Sequence, residues 1–189
     1  MSYDFYCYQP TSSAPSTEEA RAIIDSEEGE IRRDDAEARE KKQKVVAALI
    51  GYNPRLQPFK RDYGEIAKFM KISEEQARAQ WNHVELNPPE GDLAIQIEVY
   101  GDHVSFTIPY WYTGAKADQV FEQLGAYLQI ICKATGYFAY DPQTGKAFDP
   151  EREKIKDHQE YERIAQNLPS IIEQGGIKLR KRKPWWKFW

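Results

Sequence analysis

At 189 residues the chain is long enough for one domain of ordinary size, which buries roughly 70% of its unfolded surface and needs no disulfide or metal to fold. The two cysteines, Cys7 and Cys132, lack Cys-x-x-Cys spacing and sit in apolar patterns, so they read as small buried hydrophobes. No apolar run approaches the length of about 18 residues that a membrane span needs. The first ten residues read as a strand rather than a signal peptide, so a cytoplasmic location is expected.

Charge is spread unevenly. Lys178 to Trp189, KLRKRKPWWKFW, carries six positive charges and no acidic side chain, which leaves −10 on the rest of a chain whose total is −4. An acidic body does not favour nucleic acid, whereas a basic tail can seek an anionic partner. We therefore divide the chain into one α+β domain, residues 1–176, and a basic, aromatic C-terminal tail, residues 177–189.

Tyr3 to Tyr8 is a short aromatic strand, apolar on both faces and so expected at the centre of a sheet. Ser16 with Glu19 forms a capping box that opens a helix, with Ala20, Ile23 and Ile24 inward. Residues 25–44 are charge-dense and read as a solvated face. A second helix is expected from about Asp34 to Ile50, with Gly51 as its stop. Leu56 and Phe59 anchor the following loop. Tyr63 to Trp81 reads as two short helices joined near Lys71, the second capped by Ser73 with Gln76. Their cadence resembles a helix-turn-helix, but Glu74 and Glu75 open the second helix and only Arg78 is basic, which suits packing over a sheet better than DNA reading.

After the connector Asn87 to Gly91 comes the clearest pattern in the chain. Ala94 to Tyr112 alternates apolar and polar residues about Gly101-Asp102, a Gly-first two-residue loop and hence a type II′ signal. That loop sets Val99 opposite Val104, Ile97 opposite Phe106 and Ile95 opposite Ile108 on one face. The other face pairs Tyr100 with His103, Glu98 with Ser105 and Gln96 with Thr107. An amphipathic helix from about Lys116 to Ala134 follows, ended by Gly136. Tyr137 to Tyr140 is another strand, Asp141 to Gly145 a turn, and Lys146 to Phe148 a short return. Glu151 to Gln174 is mostly helical, with an interruption expected near Pro169. The order strand, helices, strand, strand, helix, strand predicts a ferredoxin-like split βαβ sheet with an enlarged helical first crossover, plus a C-terminal helix and the tail. The first strand should lie beside both the second hairpin strand and the Tyr137 strand.

Chemical motifs are sparse. His83, His103 and His158 are far apart with no ligand spacing, and nothing in the spacing nominates carboxylates to complete a zinc site. No phosphate loop or nucleophile elbow is present. No catalytic residue, metal or cofactor is expected, and the chain does not read as an enzyme. Asp102 beside His103 makes a surface imidazole at the hairpin mouth rather than a general base. Candidate partner-binding residues are Tyr100 and His103 on the polar face and the run Tyr110, Trp111 and Tyr112. Three consecutive large aromatics cannot all enter one core from an extended segment, and interface anchors favour these residue types. In the tail, Lys178, Arg180, Lys181, Arg182, Lys183, Trp185, Trp186 and Trp189 combine charge and rings as membrane-interface and single-strand-binding segments do.

The SYD opening followed by aromatics (Ser2 to Tyr6), HVELNPPEG (His83 to Gly91), IPYW (Ile108 to Trp111), GYFAYDPQTGK (Gly136 to Lys146) and PWWKFW (Pro184 to Trp189) together resemble a family of small bacterial cytoplasmic proteins without an assigned activity. The resemblance covers most of the chain through short motifs. By analogy of size and make-up it implies an immunity protein of a bacterial toxin system and transfers no catalytic residue. The charge-dense stretch from Asp25 to Lys44 departs from the family's more apolar version. The function expected is a protein-binding module that occludes a cognate toxin; the alternative is an adaptor that binds anionic membrane or nucleic acid through the tail.

Overall fold

The structure is a computed structural model and describes residues 2–25, 35–153, 155 and 159–174. Among these, seven strands form one antiparallel sheet accompanied by six helices. The strands are β1 (Ser2–Tyr8), β2 (Gln57–Pro58), β3 (Val84–Asn87), β4 (Gln96–Val99), β5 (His103–Pro109), β6 (Phe138–Asp141) and β7 (Lys146–Phe148). The helices are α1 (Thr17–Asp25), α2 (Ala36–Tyr52), α3 (Tyr63–Met70), α4 (Glu74–Gln80), α5 (Ala115–Thr135) and α6 (Gln159–Gln174). Across the sheet the order is β2-β3-β4-β5-β1-β6-β7, so β1 has the two neighbours its apolar faces predict.

The hairpin register is the expected one, with Val99 opposite Val104, Ile97 opposite Phe106, Glu98 opposite Ser105 and Gln96 opposite Thr107. The loop is closed by the Tyr100 amide, which donates to the His103 carbonyl at 2.9 Å. Positive φ is taken by Gly91, Gly114, Gly136 and Gly145 and not by Gly101. The loop is therefore not the type II′ turn that its first residue signals; register here follows from the alternating faces rather than from the turn.

One face of the sheet carries Tyr3, Phe5, Cys7, Leu86, Ile97, Val99, Val104, Phe106, Ile108 and Ala139. They are buried beneath Val45 and Leu49 of α2, Val120, Phe121, Leu124, Leu128 and Ile131 of α5, and Tyr161 of α6. Each large side chain so buried contributes about 1.5–3 kcal/mol. Cys7 and Cys132 are both free and buried, and burial pushes both thiols up. On the opposite face α1 covers only the β1-β6-β7 end, where Ala20, Ile23 and Ile24 meet Tyr6, Tyr8, Phe138, Tyr140 and Ala147.

Several helix ends differ from the sequence reading. Ser16 Oγ accepts from the Glu19 amide at 3.3 Å, but the Glu19 carboxylate turns to the Thr11 amide and the Ser12 hydroxyl and leaves the capping box half made. Helix α2 starts after Asp35, whose side chain accepts from the Ala38 amide, and runs through Gly51 to Tyr52 because Asn53 donates its amide to the Leu49 carbonyl. Helix α6 likewise continues through position 169. The Ser73–Gln76 box is complete in both directions. Helices α3 and α4 bury Ala67 and Ala77 yet leave Phe69 81% and Met70 47% exposed. They pack chiefly on each other instead of covering the sheet. Of the two loop anchors, Leu56 is buried and Phe59 is exposed.

Candidate functional site

The face opposite the main core is organised in cross-strand rows. The register places Tyr100 beside His103, His103 beside Tyr8 and Tyr8 beside Phe138. His83, one residue before β3, extends this row of rings. Its imidazole stacks on Tyr100 at 4.7 Å, and Tyr100 stacks on His103 at 4.3 Å. The next row runs Glu85, Glu98, Ser105, Tyr6 and Tyr140. A third contains Gln96, Thr107 and Asp4. Asp4, Gln96, Glu98, Ser105 and Thr107 remain partly exposed.

Glu85 and Glu98 face each other directly, an arrangement that costs free energy unless cations or donors answer it. Arg61, in the segment leading into α3, supplies the charge. Its guanidinium donates to Glu85 Oε2 at 3.1 Å and to the His83 carbonyl at 2.7 Å, and it also contacts His83 Nε2. Arg61, Glu85 and His83 keep only 8%, 12% and 9% of their side-chain surface exposed. Glu85 further accepts from Asn87 Nδ2 at 2.8 Å, and Glu98 from the Tyr100 hydroxyl at 3.0 Å and from Gln96 Nε2 at 3.3 Å. Burial, reinforced by the positive charges of Arg61 and Lys42 and by His103, holds His83 down to a pKa of about 3. Its ring is neutral at pH 7, and Nε2, which faces the Arg61 guanidinium, serves as an acceptor. His83, Glu85 and Glu98 thus bring one nitrogen and two carboxylate donors within 4.8 Å of one another.

The structure sorts the residues expected from sequence into two places. Tyr100 and His103 are together on the ringed row, but His103 is fully buried and not a surface imidazole. A polar sheet face is not the same as an exposed one: Tyr100 of the same hairpin stacks on the ring, β1 runs alongside at Tyr8, and Nδ1 pairs with Asp102 at 2.8 Å. Tyr110, Trp111 and Tyr112 lie beyond the far end of β5. Tyr110 stacks on Tyr161 at 5.2 Å. The Tyr112 amide donates to the Tyr161 hydroxyl at 3.1 Å, and the Tyr112 hydroxyl accepts from the Ala94 amide at 2.6 Å. Between them Trp111 stands 56% exposed. The tail candidates, Lys178, Arg180, Lys181, Arg182, Lys183, Trp185, Trp186 and Trp189, lie outside the described residues, as does His158.

Sequence reading missed the His83–Glu85–Glu98 group because it did not assign Val84 to Asn87 as a strand. The signal was there: His83 and Glu85 alternate with Val84 and Leu86, as Glu98 and Tyr100 alternate with Ile97 and Val99. A groove of about 510 Å³ beside α3 and α4 is lined by Lys60, Arg61, Asp62, Tyr63, Gly64, Glu74 and Arg78. Both of its arginines are already engaged: Arg61 with Glu85 and His83, and Arg78 with Glu74 at 2.6 Å and over the Tyr63 ring. Among the described residues no helix is long and apolar enough to cross a membrane. Comparison with protein-family models, with curated proteins and with solved structures finds no match to this chain.

Proposed function

We propose that the chain is a non-enzymatic binding module, an immunity factor of the bacterial cytoplasm that occludes a cognate toxin domain. The observation that supports this most is Trp111. It is a large aromatic, 56% exposed beside the Tyr112 ring, on a support fixed from both sides by the Tyr161 contacts of Tyr110 and Tyr112. An anchor already ordered before binding loses little entropy on association, and Trp and Tyr carry much of the energy of protein interfaces. The −10 charge of the body favours a basic partner and fast encounter. The motif resemblance to small bacterial proteins fits the same reading. We take strands β4-β5-β1-β6 as its ferredoxin-like core, with α1 to α4, β2 and β3 as the enlarged crossover. The test is binding and neutralisation of candidate toxin domains by the full chain. Trp111→Ala should weaken the complex by at least about 30-fold, the effect of losing a hot spot worth about 2 kcal/mol, with folding unchanged. Unaltered affinity in the variant, or no toxin bound by the wild type, would count against the reading.

The alternative, an adaptor for anionic surfaces, rests on the six cations of Lys178 to Trp189. It predicts salt-sensitive binding to anionic vesicles that disappears when those residues are deleted.

A further inference from the structure

We propose that His83, Glu85 and Glu98 form a site for one divalent transition-metal ion of the zinc class, with the Arg61 guanidinium as the chain's own competitor for it. The proposal is independent of the toxin-binding reading and rests on where β3 and β4 place these side chains.

The donor set indicates the class of ion. One imidazole nitrogen with two carboxylates suits zinc and its neighbours, whereas calcium and magnesium favour sites made wholly of oxygen. The backbone holds all three donors on one face. His83 and Glu85 are alternate residues of one segment, and Glu98 is the direct cross-strand partner of Glu85. Their ligand atoms lie within 4.8 Å of one another, and bonds of about 2.0–2.2 Å to zinc require the two flexible carboxylate arms to close in only slightly. Glu98 is the most open of the three, its side chain 29% exposed, so a coordinated water would enter from that side.

Arg61 shows that the cluster attracts a cation. The guanidinium already touches two of the three donors, His83 Nε2 and Glu85 Oε2. It also holds the His83 carbonyl at 2.7 Å, a contact that does not depend on any ligand atom. A dication answers both opposed carboxylates with one centre. Arg61 reaches the site from a connector between Phe59, whose amide donates to the Glu85 carbonyl, and Asp62, the N-cap of α3. Its displacement therefore moves one long side chain and leaves the strand pairing in place.

The experiment is calorimetric titration of chelator-treated full-length protein with Zn²⁺ at pH 7.5, repeated with Co²⁺ to read the coordination from its visible absorption. Wild type, Arg61→Gln, His83→Gln and Glu98→Gln are compared after circular dichroism shows each to be folded. We expect one Zn²⁺ per chain in the wild type, at least tenfold tighter binding in Arg61→Gln, and at least tenfold weaker binding in His83→Gln and Glu98→Gln. If a variant fails to fold, the Co²⁺ spectrum of the wild type decides, because a nitrogen-containing site of low coordination number absorbs far more strongly than octahedral cobalt. Wild-type binding that is unchanged in His83→Gln and Glu98→Gln overturns the proposal. So does saturation in Arg61→Gln alone, since the guanidinium would then be a permanent occupant.

Discussion

Glu85 and Glu98 stand opposite each other on neighbouring strands, and the guanidinium of Arg61 reaches the first at 3.1 Å while the hydroxyl of Tyr100 donates to the second at 3.0 Å. The charged member of this network is held from outside the sheet. Removing it should be expensive, because the nearly buried Glu85 carboxylate and the His83 carbonyl both lose the guanidinium. Arg61→Ala is expected to destabilise the fold by about 3–5 kcal/mol, the usual cost of breaking a buried ion pair from one side. Adding Glu85→Gln should recover part of that loss, and a urea-denaturation double-mutant cycle measures how much.

His83 sets a pH dependence of definite sign. Its folded pKa of about 3 lies below the ordinary 6.5, so in that window the unfolded chain binds a proton that the folded chain refuses. The stabilising preference is complete above pH 6.5 and is lost progressively as pH falls toward 3. At up to about 1.4 kcal/mol per pH unit, the wild type should lose about 2 kcal/mol more than His83→Gln between pH 6.5 and 5. Parallel urea curves at the two pH values would show it; equal losses would mean that the imidazole protonates freely.

Tyr161 joins α6 to the end of β5. It is fully buried, donates to the Pro109 carbonyl at 2.7 Å and accepts from the Tyr112 amide at 3.1 Å. Tyr161→Phe retains the ring packing and strips both partners. It is expected to cost about 1–3 kcal/mol, the penalty for leaving buried polar groups unsatisfied. Faster hydrogen exchange at the Tyr112 amide would locate the loss.

Exposed and buried apolar positions give a contrast. Phe69→Ser removes a ring that is 81% exposed, and stability should stay within about 0.5 kcal/mol of wild type. Ile97→Ala empties a fully buried position opposite Phe106 and should cost about 2–5 kcal/mol. Thermal denaturation of the pair checks both.

The hairpin and α5 were legible in the sequence because each carries a strict period over many residues, and one buried face enforces it. Strands β2 and β3 are two and four residues long, too short for a period to stand out, and His83 and Glu85 gave β3 the polar character of a connector. Gly51 and Pro169 misled for a different reason. Both lie in helices that extend past them, and the helix-breaking preference of a single residue is a weak guide to where a helix ends. The site suffered from the missing strand: Tyr100 and His103 could be placed opposite each other from one turn, whereas bringing His83 to Tyr100 and Glu85 to Glu98 needed the β3–β4 register. His103 shows the remaining gap, since alternation tells which side a residue faces but not what covers that side.

The two margins of the sheet set a limit on how it can grow. One ends in Gln57–Pro58 and the other in Lys146–Phe148, strands of two and three residues. Proline offers no amide to an arriving strand, and lysine at a border opposes hydrophobic stacking of a second chain. A sheet seven strands wide therefore presents almost no template for fibre-like extension.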